Sequence, residues 1–340
     1  MGEDPTGVRL RVRGETVARY VLDDPHVDLR WGRRPYLHPV RTLGGVVVTD
    51  TLPEDHRWHL GVSVAMQDVS GTNLWGGRTY VRDAGYTWLD DHGRIVHDRW
   101  LPDPPAPGAD DSEGSGAPGG SGWGGRPGDG GSGESGSGDG GSGAGGPGDG
   151  GSGAGGPGDG GFAERLRWLD PAGATLLTEE RRVAATGLAD RTDAWLLDFG
   201  YTLTAPADRD IVLGSPATNG RPDGAGYGGF FWRVAPGPNR AFTASAEGEE
   251  RVNGSTEPWL AMVGAADGGR PYTLVFAGLA DGDHWFVRTG IYPGVCVALA
   301  FERTLPVPAG ASVRRRHRIV VADGELTRDE VEALGPVLAS

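Results

Sequence analysis

Between about residues 101 and 161 the chain loses nearly all of its apolar side chains. The block is built from Gly, Ser, Pro and Asp, and within it Gly141 to Gly150 and Gly151 to Gly160 are the same decapeptide, GSGAGGPGDG. Such a segment has too little apolar surface to offset the entropy of ordering its backbone, so it is expected to be disordered. Any core must therefore come from the flanks, 1–100 and 162–325, with a short helical tail at 326–340. Closing a long loop costs only logarithmically more than closing a short one, so a single domain tolerates the block at a surface turn. Without it roughly 280 residues remain, enough for one large domain.

Both flanks carry strand signals. Val8 to Val12 alternates apolar and basic residues, and Gly14 marks a turn before a second run, Val17 to Leu22. Val46 to Thr49 is β-branched and Leu60 to Met66 alternates loosely. Beyond the block, strands are expected at Glu164–Leu169, Ala174–Ala184, Ala194–Thr204, Phe230–Val234, Trp259–Val263, Tyr272–Phe276, His284–Val287, Val295–Phe301 and Val313–Val321, with Gly, Pro, Asp and Asn between them. The one helical signal is the segment from Thr327 to Leu334, where Thr327 and Glu330 have capping-box spacing. Many short strands with regular turn signals predict an all-β fold, a large β-sandwich.

Composition removes several function classes. A net charge of -14 repels phosphate backbones, which argues against a nucleic-acid partner. All 32 basic residues are arginine, a pattern of GC-rich codon usage that excludes a lysine Schiff base and a Walker-type phosphate loop. Cys296 is the sole cysteine, so no intrachain disulfide or cysteine-rich zinc site forms. Its apolar surroundings mark it as a small buried hydrophobe. No run of apolar residues is long enough for a membrane span, and Met1 to Tyr20 has acidic residues where a signal peptide is basic. The expectation is a soluble, cytoplasmic protein with no membrane partner.

Chemistry-bearing residues concentrate between Arg33 and Gly77, which hold three of the eight histidines: His38, His56 and His59. His56 and His59 would diverge on a strand and can converge in a turn. Three readings are open. The histidines act as general acid and base on a polyol or sugar, since imidazole titrates near neutrality. Alternatively, His56 and His59 join Asp55 or Asp68 around a divalent metal, as in a two-His-one-carboxylate site. In the third reading they brace a loop. Trp58 and Trp75 favour a sugar, whose C–H faces stack on indole rings. Trp232, Trp259 and Trp285 follow later, although tryptophan in a sandwich is usually core. A second stretch, Gly226-Tyr227-Gly228-Gly229, leads to Arg233, whose guanidinium fork either pairs with a carboxylate or binds a substrate oxygen. In a third, His284 and Arg288 share one strand face.

Several motifs in this order, spanning essentially the whole chain outside the block, resemble the PmoA-like family, a family of unknown function numbered DUF6807. They are Arg34-Pro35-Tyr36-x-His38-Pro39, Asp55-His56-x-x-His59-x-Gly61, Asn73-x-Trp75-Gly76, Gly226-Tyr227-Gly228-Gly229 with Arg233, Trp285-x-Val287-Arg288 and Arg318 to Gly324. The "methane oxygenase" label of that family has no counterpart here, because a membrane methane monooxygenase subunit is built of spanning helices. The resemblance implies a galactose-mutarotase-like supersandwich and a role in carbohydrate metabolism. By similarity, a cleft would carry His38, His56, His59 and His284 as catalytic residues. Arg34, Tyr36, Asn73, Trp75, Tyr227, Arg233 and Arg288 would bind substrate. The carboxylate base is open among Asp55, Asp68, Glu180 and Glu257. No cofactor is implied. Acid–base chemistry on a sugar, sugar binding without catalysis, and a metal-dependent oxygenase or hydrolase are the three functions this pattern allows.

Overall fold

Alternating side chains give each strand one face for a shared core, and the chain satisfies this with two stacked antiparallel sheets. The structure is a computed structural model that describes residues 7–102 and 160–339. In chain order the strands are β1 (Gly7–Val12), β2 (Glu15–Val21), β3 (Tyr36–Val40), β4 (Val62–Ala65), β5 (Asp68–Val69), β6 (Thr79–Val81), β7 (Gly85–Thr87), β8 (Arg94–Trp100), β9 (Gly161–Leu169) and β10 (Thr175–Gly187). They continue as β11 (Ala194–Thr204), β12 (Ile211–Gly214), β13 (Gly229–Arg233), β14 (Asn239–Phe242), β15 (Trp259–Ala266), β16 (Arg270–Ala277), β17 (His284–Arg288), β18 (Gly294–Ala298), β19 (Leu305–Val307) and β20 (Ser312–Asp323). A seven-stranded sheet runs β1-β2-β3-β4-β13-β18-β17, and an eight-stranded sheet runs β14-β15-β16-β20-β11-β10-β9-β8. This is the expected all-β sandwich.

The main core lies between the sheets. Val64, Phe230, Trp232, Trp285 and Val297 face Phe162, Trp168, Trp195, Phe199, Leu274 and Ile319. The indole N–H groups of this core find partners: Trp195 donates to Arg41 O, Trp232 to Val48 O and Trp285 to Glu257 O. Trp232 and Trp285 are thus core, and Trp259 packs on the opposite face of the eight-stranded sheet. There, α2 (Arg328–Glu332) and α3 (Gly335–Ala339) bury Val331, Leu334 and Leu338. The capping box at Thr327 and Glu330 is present as expected.

Polar side chains also cross between the sheets. Tyr20 of β2 donates its hydroxyl to Glu164 of β9 and accepts from Nη1 of Arg181 on β10 at 2.8 Å. Arg181 grips Glu179 with Nε and Nη2 at 2.7 and 3.0 Å, and Trp168 adds an N–H at 2.8 Å. All of these groups are fully buried. His97 of β8 reaches Glu164 at 2.7 Å from the edge of the sheet.

Some strands departed from expectation. Val46–Thr49 forms only isolated bridges, Arg41 to Val47 and Thr49 to Val234. The run expected from Val295 to Phe301 ends as a strand at Ala298. β8 carried no clear signal because Arg94, His97, Asp98 and Arg99 break the alternation, as an edge strand permits. β8 pairs antiparallel with β9 across the Gly-rich block, and the two flanks form one compact unit. The disorder expected for the block lies outside the described residues.

Two stability tests follow from the buried polar groups. Arg181→Ala strands Glu179 in the core and is expected to lower the unfolding free energy in urea by about 3–5 kcal/mol. His317, fully buried against Tyr201 and Phe230, is pushed by burial from an ordinary 6.5 down to about 3. Because its folded value is depressed, the unfolded chain takes up the proton first. Its stabilising contribution is complete above pH 6.5 and is lost as pH falls toward 3. Within that window the slope is about 1.4 kcal/mol per pH unit, and His317→Phe is expected to flatten it in urea titrations.

Candidate functional site

The seven-stranded sheet has a second face, turned away from the eight-stranded sheet. Its outward residues form rows across β4, β13, β18 and β17. One row is Ala65–Gly229–Ala298–His284, the next Ser63–Phe231–Cys296–Phe286, and the third Arg233–Gly294–Arg288. The middle row, with Trp75, Tyr227 and Phe301, makes a small apolar cluster, and Trp58 packs against it. Cys296 lies within that cluster, where burial pushes its thiol up to about 12, as expected of an inert hydrophobe.

The loops above this face are tied down by Arg34. Its Nε donates to Ser63 Oγ at 3.0 Å, Nη1 to Gly32 O and Trp75 O at 2.7 and 3.0 Å, and Nη2 to Trp58 O at 3.1 Å. The side chain is buried, and burial pulls the guanidinium down to about 9. Asn73 completes the scaffold. Its Oδ1 accepts from the Trp75 and Gly76 amides, and its Nδ2 donates to Gly77 O and Thr79 Oγ1. Gly77, at φ 73°, lets the Trp58 ring lie flat on the backbone, since a Cβ there would sit 2.7 Å from the indole.

His56 and His59 converge because the segment after Pro53 is a pair of tight turns, with His56 N bonded to Pro53 O and His59 N to His56 O. Their rings stack at 4.8 Å with 19° between planes. His56 Nδ1 lies 2.7 Å from Asp55 Oδ2, and its side chain is 22 % exposed. Burial would raise Asp55, but the hydrogen bond and charge of His56, with Arg233 nearby, outweigh it and hold the carboxyl below its ordinary value. Asp55 therefore accepts the Nδ1 proton, leaving His56 Nε2 as the free nitrogen. His59 has the opposite tautomer: its Nδ1 accepts from Arg233 Nη1 at 3.3 Å, which leaves Nε2 as a donor. Burial pushes His59 well below its ordinary value, and the charges of Arg233, His56 and Arg34 push the same way. His59 is a neutral fixture and His56 is the group with access to solvent.

Tyr292 joins the basic row to the histidines. Its ring lies over Gly294, within 3.1 Å of where a Cβ would be, and touches His56 and His59, each at 4.6 Å between centroids. The Arg233 guanidinium stands 5.1 Å from the same ring. Arg233 also pairs with Asp50 at 3.5 Å, and Arg288 with Glu249 at 3.6 Å. Glu249 further fixes the approach to Tyr292 by accepting from the Thr289 and Gly290 amides.

Of the residues expected at a cleft, the structure gathers His56, His59, Arg233, Arg288 and the buried supports Arg34 and Trp75. Others have different work. Tyr36 packs with Val21, Val27 and Leu60 and hydrogen-bonds to Asp24. Asn73 spends both ends of its amide on backbone and Thr79. Tyr227 is buried against Trp75 and shares its hydroxyl with Tyr86, which in turn accepts from Arg221. His38 hydrogen-bonds Thr49 Oγ1 at 3.0 Å; burial lowers it and Asp50 pulls it part-way back. His284 stacks on Phe301 and sits four residues from Arg288, about 13 Å along the strand, at the other end of the face. Among the four candidate carboxylates only Asp55 is at the histidines. Asp68 accepts from Gly71 and Asn219, Glu180 from Arg165 and Glu257 from Ser245. Asp50, Glu249, Tyr292 and Trp31 were missed by the sequence reading. The tripeptide Tyr292-Pro293-Gly294, a turn signal just beyond Arg288, is the local sequence feature that marks Tyr292.

No group of three or more His, Cys, Asp or Glu side chains among the described residues is arranged to hold a metal ion. The rings of His56 and His59 stack at 19° between planes, and each Nδ1 is already engaged, by Asp55 and Arg233 respectively. The residues present do not fit the two-His-one-carboxylate arrangement.

The model of a family of unknown function, DUF6807, matches residues 7–112 and 152–335. The chain belongs to this family. The match steps over most of the Gly-rich block and takes in every DUF6807 residue of the cluster, from Arg34 to Tyr292. No curated protein matches the chain. No helix among the described residues is long and apolar enough to cross a membrane.

Gly77→Ala combines a strained positive φ with a clash against Trp58. It is expected to cost about 1–3 kcal/mol and to change the intrinsic tryptophan fluorescence as the Trp58 ring lifts.

Proposed function

We propose that this DUF6807 member is a cytoplasmic, carbohydrate-active protein that binds a sugar or sugar derivative against Tyr292 and Trp58 and uses His56 for proton transfer. The observation that carries the reading is the Asp55–His56 contact of 2.7 Å beside Trp58 and Tyr292. Asp55 fixes the His56 tautomer, so Nε2 takes a proton from a hydroxyl or ring carbon and returns it. His59 contributes a neutral N–H, buried Arg233 holds His59 and Tyr292 in place, and the partly exposed Arg288 is the guanidinium nearest to solvent for a sugar oxygen. The half-buried Trp58 offers an aromatic surface for the C–H face of the ring. A galactose-mutarotase-like resemblance is consistent with this assignment through the sandwich fold and the His–carboxylate pair. The metal-dependent oxygenase or hydrolase reading is less favoured, because no group of three or more His, Cys, Asp or Glu side chains among the described residues is arranged to hold a metal ion.

A non-catalytic sugar-binding role is the second reading. It is favoured by the number of expected site residues that are committed to internal hydrogen bonds, Arg34 and Asn73 above all.

A thermal-shift screen of the purified protein with monosaccharides, uronic acids and keto-sugars is expected to give a stabilising sugar without added metal. With that sugar, NMR-detected proton exchange or epimerisation is expected to fall about 10²-fold or more in His56→Gln, with the melting temperature retained. Turnover unchanged by His56→Gln sinks the catalytic assignment. A stabilising sugar with no turnover in the wild type selects the binding role, and no stabilising sugar at all sinks both.

A further inference from the structure

The aromatic contacts at the histidines continue outward in one direction. The His56 ring meets Trp58 at 5.2 Å, and Trp58 stacks on Trp31 at 6.2 Å with 21° between planes. Trp31 then meets Trp88 edge-on at 5.7 Å and 74°. Trp88 is 46 % exposed. Its ring is held from the far side by His92 at 6.1 Å and by the Arg78 guanidinium at 5.9 Å.

Exposed apolar side chains follow the same line. The large hydrophobic residues that remain exposed among those described are Leu29, Trp88, Leu89, Val212 and Ile291. Leu29 shares a single helical turn with Trp31, Leu89 adjoins Trp88, and Ile291 adjoins Tyr292. All but Val212 thus belong to, or lie close in sequence to, the aromatic strip or Tyr292. A soluble surface rarely concentrates such groups without an occupant. The indole of Trp88 is also fixed in place rather than loose, because three neighbouring groups hold it. A rigid, exposed indole loses little conformational freedom on binding.

We propose that Trp88, backed by Trp31, is a second subsite, and that the substrate is a glycoside of at least two rings whose second ring rests on Trp88. This rests on the reading of the Asp55–His56 pair as a sugar site: one ring occupies the space over Tyr292 and Trp58, and the next extends along the strip. The commitment to a sugar ring follows from continuity with that site and from the exposed, fixed indole of Trp88, an aromatic surface suited to the C–H face of a pyranose.

The test is a set of isothermal titrations with glucose, galactose and galacturonate, each beside its own disaccharide, cellobiose, galactobiose and digalacturonate. At least one disaccharide is expected to bind about tenfold more tightly than its monosaccharide. Trp88→Ala is expected to close that gap, and Trp88→Tyr, which keeps a ring, to retain most of it. Equal affinity within every pair, or a gap that persists in Trp88→Ala, overturns the second subsite while leaving the first-ring reading intact. Failure of all six sugars to bind overturns both. Trp88 is exposed, so circular dichroism and melting temperature confirm that its variants remain folded before the titrations are read.

Discussion

The outer face of the seven-stranded sheet depends on one buried guanidinium. Arg34 reaches from the chain just before β3 to Ser63 in β4 and to the carbonyls of Gly32, Trp58 and Trp75. It therefore ties three loop segments to the sheet through neutral oxygens. Removing it would leave several acceptors buried and unpaired, each of which costs the desolvation of that group. Because Trp58 and Trp75 are held through their backbones, their rings are positioned without using their own polar atoms. The histidine turn between them inherits the same constraint, since Trp58 lies inside it. Arginine suits this role better than lysine would, because a planar fork with five N–H donors can satisfy divergent acceptors at once.

Much of this architecture was legible in the sequence, for a physical reason. Strands that bury one face must alternate, and β1, β10, β11 and β20 do so over most of their lengths. The capping box at Thr327 is equally local. What could not be read was whatever depends on register. The sequence shows that Arg34, Asn73 and Trp75 belong to a polar-aromatic stretch. Only the fold shows that their donors and acceptors are consumed internally. Tyr36 and His284 were placed in a cleft because they share motifs with the cluster. Tyr36 instead packs over β2, and His284 falls at the opposite end of its strand, since His284 and Arg288 share a face but not a row. Asp50 and Glu249 were invisible because each earns its place through a partner far away in sequence, Arg233 and Arg288 respectively.

Charge is handled differently in the two polar clusters. Between the sheets, Glu179 and Arg181 form a bidentate, fully buried pair that is closed to solvent, and it specifies how β2 meets β9 and β10. At the histidines, the charged groups Asp50, Asp55, Arg233, Arg288 and Glu249 pair at longer distances and with partial exposure. The first arrangement has no room to change protonation without destabilising the fold. In the second, burial and the neighbouring charges hold His59 neutral, while His56 keeps access to solvent. Two adjacent histidines thus come to do unlike things although their residue type is the same.

Gly77 and Gly294 carry the rings of Trp58 and Tyr292 directly on bare backbone. The floor on which a ligand would rest is therefore lowered at two points by the thickness of a missing methyl group. Depth, in such a surface, is a property of the main chain rather than of the side chains that line it. A lineage that needed to admit a bulkier or a flatter molecule could do so without touching a histidine or an arginine, by changing what lies beneath the two rings. Selectivity and catalysis would then be free to evolve along separate coordinates of the same sheet.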